Sequence, residues 1–347
     1  MIIAALQLEN HWWQSDASRL EDHLHSIVHT IRDYREGELN PPTLEHVDQW
    51  IKQFDKSVQL PMAREIDHVL AKTYYSRKRV LELLGRIASN ERIAGEDPKD
   101  YWVKANFLRI QKQGKSQVEL LDLFDTVLQD KYGFKTESCG VLEGDFVYLD
   151  DVMFSGERIQ KDLTVWIKND APTHATVHVI VFVTHKLALY QVVQRLKPLS
   201  NKKNITIKFW DAPGGTLENR KAFREDSEVL WPSELYDDER FTEYLAGDHK
   251  FPFEPRQAGG KLGPFSSEEG RQLLEREFTL AGFKVRSSHK TFAMKNRPLG
   301  FSNFGLGFGS MVVTYRNCPN TAPLALWWGV NPNQWHPLFE RNRHNRD

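Results

Sequence analysis

Apolar residues recur at every third or fourth position across residues 18–89: Leu20, Leu24, Ile27 and Ile31, then Leu44, Val47, Ile51 and Phe54, then Ile66, Leu70 and Tyr74, then Val80, Leu83, Leu84 and Ile87. That spacing lines one face of an α-helix and predicts a helical N-terminal subdomain over residues 1–95. Asn40-Pro41-Pro42 and Leu60-Pro61 interrupt it, and Ser76 is placed to cap a helix opening at Arg77. Past the charged connector at residues 90–100 the period changes. Strands are expected at 101–110 (YWVKANFLRI), 135–139, 146–149, 176–184 (TVHVIVFVT) and 204–210 (NITIKFW), with helices after residue 116 and over 157–167 and 186–196. Alternating strand and helix implies an α/β domain with a parallel sheet, assigned to residues 96–347. Residues 211–265 carry Gly214-Gly215, Pro232, Pro252, Pro255 and Gly259-Gly260 and read as a loop-rich insertion. A helix is expected at 267–281, and C-terminal strands at 311–315 and 324–328, within 311–329.

Composition narrows this picture modestly. With 40% hydrophobic and 27% charged residues among 347, the chain can bury a full core. A formal charge of -1 gives no basic excess, so composition does not decide nucleic-acid binding; Arg64, Lys72, Arg77, Lys78 and Arg79 form the basic patch to inspect, with a solvated helix face as the plainer reading. Cys139 and Cys318 are the only cysteines, which excludes a disulfide framework and suits a reducing cytoplasm. No run approaches the ~18 apolar residues of a membrane span, and Met1 to Leu6 is shorter than a signal-peptide core. His25 and His29 have the i, i+4 spacing of metal ligands, without a carboxylate that completes a known motif.

The chemistry concentrates in FVYLDDVMFSGER, residues 146–158. An apolar strand that ends in two acidic residues, followed by a small-residue loop opening a helix, sets carboxylates where open α/β sheets bind ligands. Asp150 and Asp151 can accept hydrogen bonds from vicinal ribose hydroxyls and, through those hydroxyls, face a Mg²⁺ ion. Ser155 and Gly156 offer a hydroxyl and backbone N–H groups to a 5′-phosphate at the positive end of the next helix. Glu157 and Arg158 follow, the first repelling phosphate if it turns inward and the second attracting it. Upstream, Gly114, Lys115 and Ser116 sit where a pyrophosphate loop would follow the first core strand; Arg109 replaces the glycine that a Walker A loop needs. Thr184, His185 and Lys186 close the next strand, where a base or acceptor could be read. The Gly305 to Gly309 spacing reads as tight turns, not as a dinucleotide fingerprint.

These residues resemble the PRPP (phosphoribosyl pyrophosphate) motif of type I phosphoribosyltransferases. Together with QKQGKSQ at 111–117 and YRNCPNTAPLALWWG at 315–329, the chain resembles the PRTase-CE group over residues 66–329. The resemblance implies a parallel-sheet type I phosphoribosyltransferase-like core and an effector role in antiphage defence. The ligand it implies is PRPP or another nucleotide ribose phosphate with Mg²⁺, and the partner a protein such as a retron reverse transcriptase. Type I enzymes cover the substrate with a mobile loop before the motif strand, and residues 141–145 are too short for one. Two readings therefore stand: transfer or hydrolysis at the ribose C1, or an inactive nucleotide sensor that regulates a partner.

Overall fold

The computed structural model describes residues 16–112, 116–247, 251–288, 293–329 and 335–341. In chain order the elements are α1 (Asp16–Ile31), α2 (Leu44–Ile51), α3 (Gln59–Thr73), β1 (Tyr74–Tyr75), α4 (Arg77–Ala88), α5 (Glu91–Ala94), α6 (Pro98–Lys104), β2 (Asn106–Phe107), α7 (Ser116–Tyr132), β3 (Phe146–Met153), α8 (Glu157–Asn169), β4 (Ala175–His185), α9 (Lys186–Lys202), β5 (Ile205–Phe209) and β6 (Gly215–Leu217). They continue with α10 (Glu239–Ala246), α11 (Glu268–Ser287), β7 (Asn296–Arg297), β8 (Gly300–Phe301), β9 (Val313–Thr314) and α12 (Leu324–Trp327). The chain is a mixed α/β protein with a parallel central sheet, consistent with a phosphoribosyltransferase-like core. Among the described residues no helix is long and apolar enough to cross a membrane.

The contacts divide the chain into two units, residues 78–221 and residues 1–77 with 222–347, where the sequence suggests a boundary at 95. The N-terminal helices α1 to α3 bury Leu24, Ile27, Val47, Trp50, Ile66 and Leu70 in one core with Phe278, Met311, Leu326 and Phe339 from the C-terminal third. An amphipathic helix has to cover its apolar face, and here the C-terminal segment supplies the cover. Backbone bonds join the same pieces: β1 pairs in parallel with β9, and Trp50 donates its indole N–H to Ala325 O at 3.0 Å. The distinctive 315–329 segment is part of this core. Its Leu324 to Trp327 form α12, not the strand expected there, and all four side chains are buried. Only Val313–Thr314 of the expected 311–315 strand is extended.

The loop-rich region after residue 221 is organised by a buried polar group. Glu275, on α11, accepts from Arg256 through Nε (3.0 Å) and Nη2 (2.8 Å), from Arg271 Nε (3.1 Å) and from the Trp231 backbone N–H (3.0 Å). The side chains of Arg256, Arg271 and Glu275 are wholly buried. Glycines fit where backbone approaches closely: Gly307 has φ +139° and Gly309 φ +72°, and a Cβ on either would lie under 2.5 Å from backbone of Leu299 or Leu230. The turn reading of that segment agrees with these angles.

The unit spanning residues 78–221 carries the sheet. Strand order is β2-β3-β4-β5, every pairing parallel, with β6 also paired to β4 beyond the end of β5. Two expected strands are mostly something else. Tyr101–Lys104 belong to α6, because Pro98 at its start and the Asp97 side chain on Asp100 N–H favour a helix, which leaves β2 only Asn106 and Phe107. Residues 135–139 hold a 3₁₀ turn, Thr136–Ser138, whose Thr136 N–H is held by Asp125 Oδ1 at 2.6 Å.

Glu275→Leu is expected to destabilise the fold by ~3–5 kcal/mol, since it takes the carboxylate partner from buried Arg271 and leaves buried Arg256 with Glu268 alone. Urea unfolding checks this, with exposed Glu45→Gln expected to shift stability by less than ~0.5 kcal/mol.

Candidate functional site

Because all five strands are parallel, the segments that follow them gather at one edge: residues 108–112 after β2, 154–156 after β3, 186–187 after β4 and 218–220 after β6. Strand β4 is nearly continuously buried from Val177 to His185 and β3 from Val147 to Asp150, the pattern of central parallel strands covered on both faces. That edge is therefore held by the most rigid part of the unit.

The acidic pair lies inside the strand, which runs on to Met153 instead of ending at Leu149. Successive side chains of a strand project to opposite faces, so Asp150 and Asp151 diverge. Asp150 is 4% exposed and shares the face of Tyr148; Asp151 is half-buried on the other. Their carboxylates also brace the backbone, Asp150 Oδ1 accepting from Asp151 N–H at 3.0 Å and Asp151 Oδ1 from Val152 N–H at 2.7 Å. The two cannot jointly chelate one ion in this conformation, and among the described residues no cluster of three His, Cys, Asp or Glu side chains is placed to hold a metal. A hard cation such as Mg²⁺ fits here only when carried by oxygens of a ligand, with one carboxylate facing it.

The loop after β3 turns on a left-handed glycine. Gly156 sits at φ +71°, ψ -1°, the left-handed region, and caps α8. A Cβ there would lie 2.2 Å from Val192 Cγ2 and 3.3 Å from Ala188 O, so α9 packs directly on this glycine. Ser155 is exposed and its Oγ accepts from Glu157 N–H at 3.4 Å. Glu157 and Arg158 are exposed on the first turn of α8. Below them Tyr148 donates its hydroxyl hydrogen to Asp162 Oδ2 at 3.0 Å; burial raises the Asp162 carboxyl, while the Tyr148 bond and the charges of Arg158 and Lys161 act in the opposite direction.

Thr184 and His185 are part of β4 and buried, at 3% and 0% exposure. His185 donates from Nδ1 to Met153 O at 3.1 Å, and its ring lies 5.4 Å from that of Phe154. A carbonyl can only accept, so Nδ1 carries the hydrogen. Burial lowers the His185 pKa from the ordinary 6.5 to about 4, so the ring is neutral at neutral pH and acts as a strut under the 154–156 loop. Lys186 is half-exposed, with Nζ 3.3 Å from Glu218.

Gly114 and Lys115 lie outside the described residues. Ser116 opens α7, and its Oγ exchanges hydrogen bonds with the Gln111 side chain. Gln117, wholly buried, accepts from the N–H groups of Ile110 (2.8 Å) and Gln111 (3.1 Å), while Gln111 Oε1 accepts from Gln117 N–H at 3.1 Å. This reciprocal clasp closes the loop, and the Gln-x₅-Gln spacing was its only trace in the sequence. No spacing signalled the network around His178, which pairs Nε2 with Asp145 at 3.0 Å and accepts from Trp210 Nε1 at 2.9 Å. The N-terminal pair lies elsewhere: His25 Nε2 is 3.9 Å from Glu21 and His29 Nε2 is 2.9 Å from Arg32 Nη1.

Gly156→Ala is expected to cost on the order of 3 kcal/mol, combining a positive φ with overpacking against Val192, as thermal or urea unfolding would show. His185 gives a pH signature. Its proton is taken up near pH 6.5 when unfolded and near pH 4 when folded, so stability falls as pH drops through that window, by roughly 3 kcal/mol in full. Urea titrations of wild type and His185→Gln between pH 7 and pH 4 should show the steeper loss in the wild type.

No curated protein and no solved structure matches the chain. The PRTase-CE family model matches residues 47–341, which takes in the parallel sheet, the Asp150 to Arg158 loop and the C-terminal core segment, and the chain belongs to the PRTase-CE family.

Proposed function

We propose that this phosphoribosyltransferase-like domain binds PRPP, or a nucleotide carrying the same ribose 5-phosphate, at the C-terminal edge of β3. The observation that carries the proposal is the left-handed Gly156 between an exposed Ser155 and the N-terminus of α8, at the end of a strand that presents Asp151. Ser155 and the first N–H groups of α8 take the 5-phosphate, aided by the positive end of the helix. Asp151 accepts from the ribose hydroxyls. Mg²⁺ enters with the ligand and neutralises its diphosphate oxygens. Asp150, buried beside Tyr148, sets the strand edge, and Lys115 and Ser116 supply the pyrophosphate side.

In the catalytic reading, the bond from ribose C1 to the diphosphate oxygen breaks, its electron pair leaves with the diphosphate, and an acceptor or water forms the new bond to C1. As an effector of antiphage defence beside a partner protein, such an activity would deplete or modify a nucleotide pool. One observation favours the second reading, a nucleotide sensor without turnover. The segment ahead of β3 is tied down: Gly140 N–H donates to Val103 O at 2.9 Å, Val141 N–H to Lys104 O at 3.2 Å, and the Asn106 amide to the carbonyls of Val141 and Gly144. A segment so bonded does not serve as a lid, and closure is what excludes water during transfer.

Calorimetric titration of PRPP with Mg²⁺ tests the site. Wild type is expected to bind, Asp151→Asn and Ser155→Asp to weaken binding by roughly tenfold or more at unchanged stability, and Asp150→Asn to lower stability. Pyrophosphate release assigns the catalytic reading, binding without release assigns the sensor, and no binding to folded wild type overturns both.

A further inference from the structure

Residues 171–210 hold six Lys and Arg and no Asp or Glu, although acidic residues make up 47 of the chain's 347. A chain with a formal charge of -1 therefore carries a local positive excess, and the fold shows where it goes. Helices α8 and α9 lie side by side on one face of the sheet, since Leu163 and Ile167 of the first and Val192 and Leu196 of the second share a core with Val179 of β4. Each connects one parallel strand to the next, so both run from the C-terminal edge of the sheet toward its N-terminal edge. The furrow between them, on the side away from the sheet, is bridged by Arg195 Nη1, which donates to Gln160 Oε1 at 2.8 Å.

Helical phase sorts the cations onto that furrow. With α8 buried through Ile159, Leu163, Trp166 and Ile167, Lys161 and Lys168 fall on its outward side, next to Gln160 and Thr164. They are seven residues apart, two turns, or about 10 Å along the axis. On α9, Arg195 and Lys202 repeat the spacing along the flank that Arg195 turns toward α8. All four are exposed. Two rows of cations, one on each helix, thus border the furrow toward the C-terminal ends.

Little of this charge is used inside the protein. Among the described residues no carboxylate forms an ion pair with Lys168, Arg195, Lys197, Lys202 or Lys203, whereas Lys52 pairs with Asp48 and Lys104 with Asp100 at i, i+4. Lys161 acts on neighbouring Asp162, whose carboxylate also accepts from Tyr148. The exposed acidic residues of this layer are Glu157, at the loop end of α8, and Asp170, just past its last turn. One cation at each helix C-terminus is accounted for by the helix dipole, but two full rows are not.

The make-up of the surface selects the partner. Across residues 157–204 Tyr190 is the one large apolar side chain left exposed, and it lies about 140° round α9 from Arg195. A protein partner would find no apolar core to bury in the furrow, and the bases of a single strand no ring to stack on. A duplex needs neither, because its bases are already stacked and its phosphates face outward; such interfaces are polar, strongly positive and built mainly on backbone contacts.

We propose that the furrow between α8 and α9 is a docking surface for a nucleic-acid duplex, bound through its phosphates without reading sequence. One backbone lies along the furrow, with Lys161 and Lys168 on one side and Arg195 and Lys202 on the other. Lys197 and Lys203 add to the field around it. The 154–156 loop, beyond the N-terminal end of α8, stays open.

The probe is a labelled DNA duplex of mixed sequence, since phosphate contacts alone do not read the sugar, followed by fluorescence anisotropy across a salt series. Binding at low salt is expected, with log K falling against log salt at a slope of about -3.6 for four phosphates neutralised. Lys168→Gln with Lys202→Gln should bring the slope to about -1.8 and weaken low-salt binding roughly tenfold or more. Lys52→Gln with Lys56→Gln removes the same charge from the other unit and should change neither. All four lysines are exposed, so both variants should unfold thermally as wild type does. No binding at low salt, an equal loss in the Lys52 and Lys56 variant, or tighter binding of a single strand of the same sequence would each overturn the proposal. Displacement by poly-glutamate as effective as by unlabelled duplex would overturn it in favour of an acidic protein.

Discussion

The pairing of β3 with β4 is the constraint on which the candidate site depends. The two strands run parallel in register from Phe146↔Val177 to Met153↔Thr184, and both are covered by helices. Parallel pairing forces the helical crossover α8 between them, and that crossover must begin at the strand's C-terminal end. The chain turns there within Phe154, Ser155 and Gly156, and the turn is tight enough to require positive φ and close enough to α9 to exclude a Cβ. The geometry of the 154–156 loop is thus a by-product of how a buried parallel strand connects to its neighbour. His185 strengthens the same junction by bonding Met153 O from the end of β4, so the loop is held from both strands.

How much of this was legible follows from where the signals are local. The apolar run of β4, the helix start at Glu157 and the Asp-Asp to Ser-Gly loop are properties of adjacent residues, and they are readable because each element satisfies its own period. The limits of β3 were not. Aspartates are poor strand formers, yet Asp150 and Asp151 remain extended because β4 offers partners as far as Thr184. The same effect worked in reverse for Leu324 to Trp327, an apolar run that resembles a strand but is a buried helical turn with no neighbour to pair with among the β-elements. Tyr101 to Lys104 were misread because capping by Asp97 and Pro98 outweighs an aromatic, β-branched composition. The clasp of Gln111 with Gln117 escaped for another reason: its meaning lies in tertiary placement, and its residue types are common in loops.

The unit formed by residues 1–77 and 222–347 solves a different problem. Its long irregular stretches cannot satisfy their backbone through sheet ladders, so they converge on side chains. Glu275 holds Trp231 N–H and two arginines, while Glu65, only 2% exposed, accepts from Ser266 N–H at 2.9 Å at the entrance to α11. Each buried carboxylate would be costly alone and is tolerable only with its full set of donors. That dependence makes the region cooperative in spite of its few regular elements, and it explains why helices read as an independent N-terminal subdomain share a core with the distant C-terminal segment.

The divergence of Asp150 and Asp151 has a consequence for chemistry. Two carboxylates at adjacent strand positions invite a reading as a metal pair, but strand geometry separates them to opposite faces, one buried and one half-buried. What the β3 edge offers is one half-buried carboxylate, a helix terminus and a hydroxyl, and in the proposed binding mode these meet the ribose hydroxyls and the 5-phosphate. None of them meets the leaving diphosphate, and the segment before β3 is bonded to α6 and β2. Rate acceleration requires interactions that strengthen in the transition state. In the proposed binding mode, turnover therefore rests on groups that come to the ribose from outside the β3 loop.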